Sequence, residues 1–130
     1  MLVEGGGYEK IWLETQPMGG EMYALREPEA ALNNCLLFMR WQRPDGRLPG
    51  SIRCVNGTVE PEFNKYQGFC FPFPALNLYF TLGRDRIYLH QLKDCLIRFD
   101  ECLHRTRELS HDGLLYSFCV YDTGEDLAVR

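Results

Sequence analysis

From Pro28 to about Gln42 the apolar residues Ala31, Leu32, Cys35, Phe38 and Met39 recur at steps of three and four, the period of a helix with one buried side. Pro28 suits the first helical turn, where its missing N–H leaves no bond unmade. The ring of Pro44 disfavours helical geometry at Arg43, so the helix ends before it. A second apolar run, Ala75, Leu76, Leu78, Tyr79 and Leu82, opens at Pro74 and is closed by Gly83 as a left-handed cap. Asp85 then caps a long helix to about Arg107, with Ile87, Tyr88, Leu92, Cys95, Leu96, Phe99, Cys102 and Leu103 on one face. That face is wide enough to meet two neighbours.

The segments between follow a different pattern. Residues 1–24 hold Gly5, Gly6, Gly7, Gly19 and Gly20 with aromatics between them, and read as irregular structure or short strands. Asp45-Gly46, Pro49-Gly50 and Asn56-Gly57 are turn signals, and Ser51 to Val59 predicts a short hairpin around Asn56-Gly57. Ser110 to Tyr121 reads as a turn followed by an apolar extended run. One arrangement recurs: Pro44-Asp45-Gly46-Arg47-Leu48 follows the first helix, and His111-Asp112-Gly113-Leu114-Leu115 follows the long one. A helix that meets Asp-Gly and returns to apolar residues, twice, points to stacked helical hairpins.

Composition narrows the function classes. The 130 residues suit one domain, and the hydrophobic fraction of 45% with 13% aromatics is that of a chain that buries a core. Fourteen basic and 18 acidic residues give a net charge of −4 without a basic stripe, which excludes nucleic acid and an anionic membrane surface as expected partners. No stretch approaches the roughly 20 apolar residues of a membrane span. The start, Met-Leu-Val-Glu-Gly-Gly-Gly, lacks the pattern of a signal peptide, so a cytoplasmic location is expected unless further sequence precedes it. Of the six cysteines, Cys35, Cys95 and Cys102 fall on apolar helix faces, none forms a CxxC pair, and His90, His104 and His111 show no zinc-ligand spacing. Reduced, buried thiols are expected, and no metal or organic cofactor is implied.

The candidate chemistry lies at Asp122-Thr123-Gly124-Glu125-Asp126-Leu127-Ala128-Val129-Arg130. Three acids within five residues, broken by a glycine, make a poor helix and a plausible active-site loop. A carboxyl kept protonated there can donate to a leaving-group oxygen, as glycoside cleavage requires; a solvated acidic segment has the same composition. Acid–Thr/Ser–Gly–x–Asp–x–small–x–Arg resembles the signature of six-hairpin glycoside hydrolases, the group of the trehalases and processing α-glucosidases. Asp122, Thr123, Gly124, Asp126 and Arg130 match it. Glu125 stands where trehalases have an aromatic, and Asp122 replaces Glu, which argues against trehalose itself.

The resemblance implies an all-α fold, helical hairpins forming part of an (α/α)6 toroid with an irregular N-terminal segment and loops, and makes residues 1–130 an incomplete catalytic domain. It implies an inverting hydrolase of α-linked sugars with an oligosaccharide or glycoside substrate. Asp126 is the general acid, Asp122 and Arg130 bind substrate, and the base lies downstream, so the 130 residues alone are expected to be inactive. Trp12-Leu13-Glu14-Thr15-Gln16 resembles the aromatic-acid loop that holds a sugar ring in such enzymes, with Trp12, Glu14 and Gln16 as candidates and a packed surface loop as the other account. Gln67 and Phe71, before the second helix, line a pocket or staple that helix to the core. The competing functions are a non-catalytic helical-repeat binding module and another carbohydrate-active enzyme of that barrel, an epimerase or phosphorylase.

Overall fold

In a computed structural model that describes residues 3, 9–65, 70–118 and 122, strand β1 (Lys10–Trp12) leads through a turn into α1 (Gln16–Tyr23) and α2 (Pro28–Arg40). A hairpin, β2 (Ser51–Val55) and β3 (Thr58–Glu62), precedes α3 (Pro72–Thr81) and α4 (Arg86–Arg107). The expected all-α toroid of helical hairpins is corrected. Four helices and a three-stranded antiparallel sheet in the order β1-β2-β3 make the fold mixed α/β. Ile11 pairs with Ile52 and Trp12 with Ser51, residues far apart along the chain. A reading by local period cannot see such a pairing, which exists only once the intervening helices have brought the strands together.

The hairpin forms where its turn predicts. Asn56 and Gly57 take φ values of +50° and +79°, the two left-handed positions of a two-residue turn whose twist matches the strands. Alternation then sorts the faces: Ile11 and Ile52 are fully buried, whereas Lys10 and Trp12 lie on the other face beside Arg53 and Ser51. The helix from Pro28 and the long helix appear as predicted, and Gly83 closes α3 at φ +82°. The helix expected from Pro74 begins two residues earlier, at Pro72.

α1 is the helix that the sequence pattern missed. Its interior Gly19 and Gly20 disfavour a helix, but Gly20 is buried against Ala31 of α2, and the pair of small residues lets the two helices approach closely. α1 packs on α2 and α3, and α3 on α4. Ala31, Cys35 and Phe38 of α2, Ala75 and Leu78 of α3, and Tyr88, Leu92, Cys95, Phe99 and Leu103 of α4 join Ile11 and Ile52 in one buried cluster. Among the described residues, no helix is long and apolar enough to cross a membrane.

Asp85 caps α4 as its sequence position predicts, accepting from the backbone N–H of Ile87 at 2.8 Å and of Tyr88 at 3.4 Å. Replacing it by alanine orphans those donors, and Asp85→Ala is expected to lower unfolding free energy by about 1 kcal/mol. Urea denaturation checks this, and an unchanged midpoint would show that water serves the helix end equally well.

Candidate functional site

The last turn of α4 builds the most deeply buried charge of the described structure. The stripe through Tyr88, Leu92, Cys95, Phe99 and Leu103 continues at the helical period to Arg107, so a guanidinium stands where the pattern would place an apolar side chain. Arg107 Nη1 donates to Asp122 Oδ2 at 2.6 Å and Nη2 to Oδ1 at 3.4 Å, with the two side chains 10% and 6% exposed. The Phe118 ring lies 4.5 Å from the guanidinium carbon, and the Phe118 N–H donates to Asp122 Oδ2 at 2.7 Å. The Tyr116 N–H donates to the Arg107 carbonyl at 2.8 Å. Asp122, the first residue of the acidic motif, is thus seated against the end of α4. Asp126 and Arg130 lie outside the described residues, as does Gln67.

Just beyond, Glu108 ties the turn of residues 110–113 to the helix. Its carboxylate accepts from the Gly113 N–H at 2.9 Å and lies 2.6 Å from His104 Nδ1. That hydrogen bond raises the His104 pKa and lowers that of Glu108. The two Asp-Gly turns share a left-handed glycine, at φ +89° for Gly46 and +79° for Gly113, but not their surroundings. Gly46 is pressed against the backbone of α4, while Gly113 faces open space.

The N-terminal candidates separate into two settings. Trp12 is half-buried on the outer face of the sheet, with Lys65 Nζ 4.4 Å and Lys10 Nζ 5.5 Å from its ring centroid. A pyranose stacking on the Lys65 side would have to displace that ammonium from the π face. Lys10 also bonds Glu62 at 2.6 Å, and Ser51 Oγ donates to the same carboxylate at 2.7 Å. Burial pushes the Glu62 carboxyl up, but these hydrogen bonds and the charges of Lys10 and Arg53 outweigh it and hold it below its ordinary range. Glu14 is half-buried in the turn between β1 and α1.

Gln16 and Phe71 are core residues. The Asn34 amide donates to Gln16 Oε1 at 2.8 Å, a buried polar pair that fixes α1 on α2. Phe71 is fully buried and meets Phe38 edge-on, the staple rather than the pocket wall of the two roles open to it. The described cysteines are all free; Cys35, Cys95 and Cys102 are buried, whereas Cys54 and Cys70 are exposed, which corrects the expectation of buried thiols for those two, and burial pushes the thiols of Cys35 and Cys95 up to about 12. A thiol so rarely ionised is a poor nucleophile.

A groove of about 730 Å³ lies between α2 and α4, with Leu36, Leu37 and Met39 among its apolar walls and Arg40, Asp94 and Arg98 among its charged ones. None of the described candidate residues lines it.

Comparison of the chain with known protein-family models, curated proteins and solved structures finds no match. The sequence reading missed Arg107, Asn34, Glu62 and Lys65. Arg107 and Asn34 carried a signal, since each occupies a position of an apolar stripe and so demands a partner inside the fold. Glu62 and Lys65 carried none, because register and loop path bring them to β1.

Proposed function

We propose that this chain carries the acid half of a glycoside hydrolase that cleaves α-linked sugars with inversion. Asp126 protonates the glycosidic oxygen as the bond breaks, and a second carboxylate, assigned to no residue of 1–130, activates water on the opposite face of the ring. The proposal rests on the match of Asp122, Thr123, Gly124, Asp126 and Arg130 to the six-hairpin hydrolase motif. Against a wholly solvated acidic segment stands the burial of Asp122, the first carboxylate of the motif, in an ion pair with Arg107. Of the described N-terminal candidates, Trp12, half-buried on the outer face of the sheet with Lys65 and Lys10 near its ring, is the one assigned to meet a sugar or glycoside.

The test is Asp126→Asn in the full protein, assayed on aryl α-glycosides. Loss of the proton donor is expected to lower turnover by about 100-fold or more while sugar binding persists. Turnover equal to that of the unmodified protein would sink the assignment. Sugar binding without hydrolysis by the unmodified protein would favour a non-catalytic binding module.

A further inference from the structure

The groove between α2 and α4 has no task in the chemistry assigned to Asp126, and its two ends differ in kind. Gln42, two residues past Arg40, donates to the Cys95 carbonyl at 2.9 Å, so the end of α2 lies against the middle of α4. Arg40 and Arg98 therefore stand at the same end of the groove. Asn33 and Gln91 line the other end, each two helical turns earlier, about 10 Å along its own helix. Between the ends Leu36, Leu37 and Met39 are half-buried and present an apolar wall.

The charges at the arginine end are unspent. Among the described residues no carboxylate pairs with Arg40 or Arg98, and Arg98 Nε donates to the Asp94 carbonyl, one turn back in its own helix, at 3.4 Å. Two guanidinium groups gathered without a counter-ion repel each other, and an anion held between them removes that cost. The Asp94 carboxylate also lines the groove, so its described charged residues, two arginines and one aspartate, leave a single net positive charge. That suits one carboxylate better than a phosphate ester, whose charge is about −2. The volume of about 730 Å³ lies within the roughly 300–1,000 Å³ of small-molecule sites.

Independently of the hydrolase reading, we propose that this groove binds an apolar monocarboxylate of medium chain length. The carboxylate lies on Arg40 and Arg98, and the chain runs along Leu36, Leu37 and Met39 towards Asn33 and Gln91. A saturated chain of ten carbons spans the distance between the two ends.

The experiment titrates decanoate into the full protein, with decanol as the uncharged control, and reads calorimetry together with backbone amide shifts. Decanoate is expected to bind saturably and about tenfold more tightly than decanol, with shifts concentrated at residues 36–40 and 94–98. Arg40→Gln and Arg98→Gln should each raise the decanoate Kd about fivefold, and both side chains are exposed, so the fold should tolerate the changes. Leu37→Glu should weaken decanoate and decanol alike. Absence of saturable binding overturns the proposal, as does equal affinity for the two probes or an unchanged Kd in both arginine variants. Shifts centred on the Trp12 face, which carries Lys10 and Lys65, overturn it by placing the anion elsewhere. A dimer that Leu37→Glu dissociates and decanoate leaves intact gives the groove to a second copy of the chain, and the proposal falls.

Discussion

Phe38→Ala is expected to lower unfolding free energy by about 3–5 kcal/mol, a large share of the roughly 5–15 kcal/mol that holds a domain together. Phe38 is fully buried at the centre of the cluster that α2, α3 and α4 build, and its ring meets Phe71 edge-on at a centroid distance of 6.3 Å. Truncation removes the ring's burial and leaves a void that the two flanking helices can fill only in part, because each is also fixed by its neighbours. Phe73 supplies the control. It stands on α3 two residues from Phe71 but is 74% exposed, so Phe73→Ala should change stability by no more than about 0.5 kcal/mol. Chemical denaturation of both variants checks the pair of expectations. Similar midpoints would mean that the core is loose enough to repack around the missing ring.

Gly46→Ala is expected to be nearly as damaging, although it adds a single methyl group. Gly46 has φ +89°, a conformation that L side chains rarely adopt. A Cβ there would fall inside the van der Waals envelope of the Arg98 carbonyl oxygen and 3.1 Å from Cys102 Cβ, both on α4. Neither obstacle is a flexible side-chain end, so the turn itself must lift off the helix. Lifting it also breaks the bonds that Gln42 Nε2 makes to the carbonyls of Gly46 and Cys95, at 2.8 and 2.9 Å. Backbone strain and overpacking together amount to about 3 kcal/mol. A fall in Tm of about 10 °C follows from that loss, and a shift of only about 2 °C would show that the turn moves freely. Gly113→Ala separates the causes, for Gly113 shares the left-handed φ but has open space around it, and should show the strain alone.

That contrast also measures how far the sequence could be read. The Asp-Gly motif announced two turns with left-handed glycines, and both are present. It did not announce that one of them is a docking point on α4, because the distance between Gly46 and Arg98 is a property of the packed helices. The candidate site divides in the same way. Trp12 and Asp122 stood out in the sequence as candidates, by resemblance to an aromatic-acid loop and as the acid that opens a motif. The partners that define them, Lys65 over the indole and Arg107 on the carboxylate, arrive from elsewhere in the chain. Gln16 and Phe71 have the residue types of a binding loop, but packing turned both inward.

Local physics therefore settled what each segment is. Apolar steps of three and four made α2 and α4, Asp85 set where α4 begins, and Asn56-Gly57 set the hairpin. These depend on side chains within a turn or two of one another, so the sequence carries them whole. The tertiary structure alone decided that the hairpin gains a third strand, because β1 becomes a strand only by bonding to Ser51, Ile52 and Arg53. It alone made a helix of Gln16–Tyr23 despite two interior glycines, because closeness to α2 outweighs weak intrinsic propensity. And it alone gave Arg107 its partner, since a charge on a buried stripe says that a counter-charge must come, and only the folded chain says which one.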